Sequence, residues 1–317
     1  MNYDIPISEL EIGNEFEGFY MISDIQNKTT ANGKPYLSAV LADRSGSMEL
    51  KVWDYTGELD ASRNGTVVKV RAQVGEYRGT KQLTASRIRP ADENDSFSEA
   101  ALVPTAPIDR DEAYSFVVGL VESIEDADYR KIAVRMLEKH GDTLRRIPAG
   151  KSIHHGFIGG LLMHTANMLS IADYMAGQYC EVIDRSLLLC GTLLHDLQKS
   201  REFSFSPLGL VNDYTPAGKL IGHLVLGAQE LEKEAEALGV GGEKLMLLEH
   251  MLLSHHGEPD HGAALRPQIA EAELLHLIDM VDSRMEIYAE NLQSLEPGQF
   301  SPRIYALDKR IYKPVRE

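Results

Sequence analysis

The chain has 317 residues, 43% of them hydrophobic and 25% charged, which is enough for a buried core and suggests two domains while excluding wholesale disorder. It contains no run of about 18 uncharged apolar residues, so no membrane-spanning helix is expected and no membrane partner is read from it. Its net charge of −16 argues in bulk against phosphate binding, but the charge is divided: residues 1–90 hold 11 basic and 12 acidic residues, and the excess acidity lies beyond them. The start, MNYDIPISEL, lacks the basic-then-apolar pattern of a signal peptide. Cys180 and Cys190 sit in apolar helical stretches and predict two core thiols in a cytoplasmic protein, not a disulfide framework.

Residues 12–90 read as strands. FEGFYMISDIQ, PYLSAVLAD, SMELKVWDY, TVVKVRAQVGEY and KQLTASRIRP are β-prone, and ANGKP, DRSGS, RNG and YRG between them carry turn chemistry. Five such strands predict a small barrel. Residues 91–110, acidic and proline-bearing, read as a linker. From 111 onward the periodicity is helical, with helices predicted over 111–124, 128–140, 158–178, 184–195, 217–238, 243–254 and 270–291.

In SMELKVWD, Met48, Leu50 and Val52 alternate with Glu49, Lys51 and Trp53, so a period of two turns the only tryptophan away from the barrel core. Between Arg63 and Arg89 stand seven basic residues and one acidic, Glu76. Aromatic surfaces beside a local basic excess are what single-stranded nucleic acid requires, although the same pattern also suits a solvated strand face. LSAVLADRSGSMELKVWD followed by GEYRGTKQLTASRI resembles the OB-fold of the anticodon-binding type over about the first 90 residues. That resemblance implies Trp53, Tyr55, Tyr77, Arg78 and Lys81 as nucleic-acid-binding candidates.

All 11 histidines lie between His140 and His276. His164 falls in GGLLMHTANML, the pair His195-Asp196 ends SLLLCGTLLHD, His223 stands in GKLIGHLVLG, His255-His256 in MLLSHHGE and Asp279 in LLHLIDMVD. Neighbours on a helix diverge by about 100°, so His195 and Asp196 can serve one metal pair only near a helix end or groove. One histidine on an apolar helix is usually a satisfied core residue. Several on separate helices, joined by aspartates, are better explained by shared metal.

The pattern His … His-Asp … Asp resembles the HD phosphohydrolase superfamily, and His223 with His255-His256 resembles its two-metal branch. The resemblance implies a first metal on His164, His195, Asp196 and Asp279, and a second on His223 and His255 with Asp196 bridging, His256 standing as the substitute for His255. Two divalent transition metals are implied, manganese first, with Fe, Zn, Ni or Co as alternatives. Such a pair supplies a nucleophile and clamps a phosphoryl group. Lys199 matches the lysine of the HD-x-G-K form and is a catalytic candidate for charge stabilisation, although Gln198 replaces the glycine. His155, in an HH-x-x-x-GGLL-x-HT run similar to that of one HD subgroup, is a second catalytic candidate that could reach substrate phosphate, with a surface or capping role equally open. Asp282, one turn after Asp279, is a weaker ligand candidate or a support. No role is read for His140, His250, His261 or His276.

The order of domains, the stretches quoted and the tail PGQFSPRIYALDKRIYKP resemble the YhaM family of bacterial 3′-5′ exoribonucleases nearly end to end. The resemblance implies a multi-domain chain: an OB-fold barrel over 1–90, a linker over 91–110 and an all-α HD domain with its tail over 111–317. It further implies metal-dependent removal of nucleotides from the 3′ end of single-stranded RNA, with DNA as a second substrate class and the OB domain holding the strand. The residues leave open a phosphodiesterase or nucleotidase acting on a small nucleotide, a nucleic-acid-binding module with an inactive HD domain, and the choice between monomer and homo-oligomer.

Overall fold

A computed structural model describes residues 2–30, 32–77, 79–150, 156–206, 208–293 and 295–316. The chain forms two compact units, one of residues 1–105 with 205–212, the other of 106–204 with 213–317.

The first unit is a closed barrel of five strands with a short sixth, the first in the chain, paired alongside one of them. Its strands are β1 (Asn2–Tyr3), β2 (Glu15–Thr29), β3 (Pro35–Asp43), β4 (Gly46–Trp53), β5 (Thr66–Tyr77) and β6 (Thr80–Pro90), in the order β1-β2-β3-β4-β6-β5 with β5 returning to β2. β2 closes the barrel because it is long enough to pair twice. Glu15–Ile22 run antiparallel to β5, Met21–Thr29 run antiparallel to β3, and a bulge between Ser23 and Gln26 bends the strand from one partner to the other. Asp24 there has a φ of 51°, a left-handed conformation that a short polar side chain tolerates. The parallel pairing Leu50↔Leu83 joins β4 to β6 and makes the connection that of an OB-fold. Alternation does the rest: Phe16, Tyr20, Ile22, Leu37, Leu41, Leu50, Val52, Val68, Val70 and Leu83 point inward and are buried.

Residues 91–105, the larger part of the stretch read as a linker, pack with this barrel. Phe97 meets Phe19 with ring centroids 5.2 Å apart, and Ala101 in the short helix α1 (Glu99–Leu102) accepts a hydrogen bond from the Arg44 amide.

The second unit is helical: α2 (Arg110–Glu122), α3 (Ala127–Leu144), α4 (Gly160–Gln178), α5 (Arg185–Leu194), α6 (Lys199–Glu202), α7 (Pro216–Leu220), α8 (Gly222–Leu238), α9 (Glu243–Ser254) and α10 (Ala270–Gln293). Asp109, Asp126 and Asp184 cap α2, α3 and α5 by accepting from backbone amides two and three residues on. Three sequence expectations need correction. The helix expected over 217–238 is two, because Gly222 takes a φ of 78° and breaks it just before His223. A hairpin of β7 (Phe203–Phe205) and β8 (Val211–Tyr214) interrupts a region in which strand signals are scarce. Cys180 is exposed just past the end of α4, so only Cys190 is a core thiol, and both are free. The C-terminal tail folds back through the bridges Phe300↔Tyr312 and Ile304↔Lys309, burying Leu307 and Ile311 against Ile287.

Leu83→Ala should test the barrel core. Removing a fully buried side chain at the β4–β6 closure should cost about 2–5 kcal/mol in denaturant unfolding followed through Trp53 fluorescence.

Candidate metal centre

The helical unit converges on one buried carboxylate. α5 is buried from Ser186 to Leu194, where it ends, so His195 is its C-cap and Asp196 lies in the turn that follows. That helix end resolves the 100° problem of the adjacent pair: both side chains face inward and both residues are buried. His195 Nε2 lies 3.2 Å from Asp196 Oδ2, His164 Nε2 3.7 Å from the same oxygen, and His223 Nε2 and His255 Nε2 lie 3.2 and 3.8 Å from Oδ1. Asp279 Oδ1 stands 3.4 Å from His164 Nε2. α4, α5, α8, α9 and α10 thus each deliver a side chain to one point.

The outer nitrogens fix which nitrogen faces that point. His195 Nδ1 donates to the Thr192 carbonyl at 2.7 Å and His255 Nδ1 donates to that of Leu252 at 2.8 Å. His164 Nδ1 is held by Asp282 at 2.7 Å and His223 Nδ1 by Glu202 at 2.9 Å. Engaging the outer nitrogen aims Nε2 of each ring at the centre, as in histidine ligands supported from behind. Asp282 is therefore a support behind His164, shared with Asn167 at 2.9 Å.

These residues fit metal ions on the structure's own terms. Among the described residues, the buried side-chain polar atoms without a hydrogen-bond partner are Asp196 Oδ1, His223 Nε2, His255 Nε2, His256 Nδ1 and Thr192 Oγ1. Four of the five belong to this cluster, and orphaned buried lone pairs are costly unless a cation takes them. The donors form two groups, His164 with His195 and Asp196, and His223 with His255 and His256, the atoms within each lying within 4.8 Å of one another. Both members of the His255-His256 pair offer a ring nitrogen to the second group.

The electrostatics follow from burial. Burial alone would raise the Asp196 carboxyl, but Lys199 and His195 outweigh it and hold it well below the usual carboxylate range. Burial pushes the His164 imidazole down, and Asp279 and Asp282 reverse that, holding it up at about 9. Burial drives His255 well down and His256 down to about 4, which keeps both rings neutral and their lone pairs free for a metal.

Lys199 reaches the centre although no helix continues through the motif. Residues 195–198 form a turn, the Lys199 amide donates to the Asp196 carbonyl at 3.0 Å, and Nζ lies 2.6 Å from Asp196 Oδ2. Gln198 has φ −82° and ψ 2°, a backbone that needs no glycine. Its buried side chain instead anchors the turn. Nε2 donates to Glu230 Oε2, and Glu230 also accepts from His140 Nε2 at 2.9 Å and from Lys139 Nζ at 2.6 Å.

Sequence reasoning missed this anchor, together with Glu202 and His276. His276 Nδ1 donates to the His255 carbonyl at 2.9 Å, and its ring packs so closely on Gly257 that a Cβ there would lie 2.4 Å from it. For two of them a signal was available: Gln198 and His276 lie within three residues of a ligand candidate. His154 and His155 lie outside the described residues.

Of the nucleic-acid candidates, Trp53 and Tyr55 come together at one end of the barrel. Trp53 is half exposed and packs on Tyr36 with centroids 5.1 Å apart, and the Tyr55 hydroxyl accepts from the Leu59 amide at 2.9 Å. Tyr77 and Lys81 lie at the other end, because Lys51 pairs with Thr84 whereas Tyr77 pairs with Thr80. Lys81 is committed to the Leu10 carbonyl at 2.8 Å and to Glu11 at 3.2 Å. Arg78 lies outside the described residues.

A five-stranded closed barrel joined to a helical unit with a buried His/Asp cluster defines a nucleic-acid-binding fold attached to an HD phosphohydrolase. Family models agree: the HD domain matches residues 161–284 and the OB-fold nucleic acid binding domain matches 21–91. Over nearly its full length the chain is similar to the 3′-5′ exoribonuclease YhaM of Listeria innocua, 37% identical over 312 residues and 98% of each chain. It is also similar to that of Bacillus licheniformis, 35% identical over 307 residues and 96% of each. The chain belongs to the YhaM family.

Two outcomes test the supports. Glu202→Ala frees His223 Nδ1 and should weaken metal affinity about 10- to 100-fold in calorimetric titration. Glu230 faces burial, which raises its carboxyl, but His140 and Lys139 hold it down at about 2 against an ordinary 4.5. It therefore stabilises the fold above its ordinary range and loses that contribution as pH falls through about 2. Glu230→Gln should lower the thermal midpoint at neutral pH, and the deficit should close as pH falls from 4.5 towards about 2.

Proposed function

We propose that this chain is a metal-dependent 3′-5′ exoribonuclease that hydrolyses single-stranded RNA from its 3′ end, with DNA as a second substrate. The observation that carries the reading is the convergence of His164, His195, His223 and His255 on Asp196, in a chain whose near-full-length relatives carry that activity in their names. No specific observation favours a small-nucleotide phosphodiesterase.

His164, His195, Asp196 and Asp279 would hold one ion, and His223, His255 and His256 the other, with Asp196 shared. Imidazole and carboxylate donors suit manganese, iron, cobalt, nickel or zinc better than magnesium alone, and manganese is our first choice. Bound there, two ions would supply Lewis acidity at the scissile phosphate and acidify water for attack.

The chain's own groups do the rest. Asp282 and Glu202 keep His164 and His223 aimed, and Gln198 holds the turn that carries Asp196 and Lys199. Burial pushes the Lys199 ammonium down, but Asp196 raises it, so it stays charged and can offset negative charge developing on the phosphate or the departing oxygen. His155 would contact the substrate phosphate. Trp53 and Tyr55 would hold upstream bases by stacking. A cytoplasmic setting, where thiols stay reduced, suits the free Cys180 and Cys190.

A 5′-labelled single-stranded RNA incubated with manganese should yield a ladder shortened from its 3′ end, and chelation should abolish it. His195→Ala with Asp196→Ala should remove the activity while RNA binding persists. A ladder of undiminished intensity from the double variant sinks the reading, and a single mononucleotide conversion with no ladder turns it toward a nucleotidase.

A further inference from the structure

On the outer face of the barrel, β2, β5 and β6 set cations opposite one another. Arg71 on β5 is the register partner of Arg87 on β6, and Lys69 is the partner of Arg89. Like charges directly across a ladder oppose strand pairing, so two such pairs in succession mark a face whose sequence was not chosen for stability alone.

The carboxylates nearby are mostly spent elsewhere. Glu17 is the register partner of Arg71 on β2, but its carboxylate lies 3.5 Å from Lys69 Nζ. Arg89 is held by Asp95 at 2.6 Å and Asp92 at 3.3 Å, and Asp54 by Lys34 at 3.3 Å. The Arg71 and Arg87 guanidinium groups have no ion pair or side-chain hydrogen bond among the described residues. Both line a crevice of about 610 Å³ that Trp53 and Tyr55 also line. The indole is 52% exposed and backed by Tyr36, which fixes its plane and leaves surface open.

We propose that this crevice is the strand-binding site of the OB unit: Arg71 and Arg87 take two backbone phosphates of a single-stranded polynucleotide while a base stacks on Trp53. The site is at the end of the barrel away from the β5–β6 hairpin tip that carries Tyr77. Charge and shape argue together. Two uncompensated guanidinium groups at paired strand positions match successive phosphates, and a flat aromatic wall matches a base in a way that an acidic peptide would not use. The proposal rests on the reading of the chain as an RNA-degrading enzyme, but it concerns binding.

The test is the salt dependence of oligouridylate binding by the full chain, measured by fluorescence anisotropy in chelator so that no cleavage intervenes. On a single strand, each phosphate that the protein neutralises adds about 0.7 to the steepness of log K against log salt, so Arg71→Ala with Arg87→Ala should reduce it by roughly 1.4. Arg71→Lys with Arg87→Lys should keep the slope. Trp53→Ala should weaken binding roughly ten- to a hundredfold with the slope unchanged. Tyr77→Ala with Lys81→Ala should bind like the parent. The arginine-to-alanine variant should melt no lower than the parent without RNA, since a like-charge pair has been removed, and this separates weakened phosphate binding from unfolding. An unchanged slope in that variant, or a loss confined to the Tyr77 and Lys81 pair, overturns the proposal. Failure of the exoribonuclease reading would appear separately, as absence of a ladder in manganese whatever the binding result.

Discussion

The helical unit is organised around the burial of the Asp196 carboxylate. A charge taken out of water needs partners, and here the Lys199 ammonium supplies one at 2.6 Å from Oδ2, while four imidazole Nε2 atoms crowd the same carboxylate. That demand fixes where five helices meet. It also leaves lone pairs on Asp196, His223, His255 and His256 that no protein donor satisfies, and such a cluster is stable only with cations or protons in it. The cost of burying polar groups is what makes the centre fit metal ions.

A second ring of contacts turns that demand into fixed geometry. Thr192 and Leu252 offer carbonyls, and Asp282 and Glu202 offer carboxylates, so each imidazole is oriented by the nitrogen that does not face the centre. Close packing carries the same order outward. Gly218 sits where any Cβ would lie 2.2 Å from the Glu202 carbonyl oxygen, and Gly257 sits beneath the His276 ring. The glycines therefore belong to the site as much as the ligands do, because they let supporting elements approach.

Much of this was legible in the sequence. Alternation and turn residues located the five barrel strands within a few residues, because a half-buried strand must show a period of two. His164, His195, Asp196, His223, His255 and Asp279 were legible as a set, since ionisable residues that recur in apolar helices must find polar partners in one another or in an ion. Illegible were the groups whose role comes from distant partners. His140 and Glu230 look like surface residues of two helices until packing closes them over Gln198. The break at Gly222 was hidden in the same way, since one glycine in a helical pattern need not end a helix.

The sequence by itself determined the two kinds of unit, the donor chemistry of the His/Asp cluster and the family, because periodicity, residue type and motif order are local properties of the chain. Tertiary structure decided the rest. It set His256 beside His255 at the centre, and it let a glutamine replace the motif's glycine by holding that side chain from a neighbouring helix. It also set Arg71 against Arg87 while committing Lys81 to Glu11. Charges of one sign are equivalent along a sequence, and only strand register and the partners it brings decide which of them are left free. The net charge of −16 is therefore no guide to where this chain can meet a phosphate.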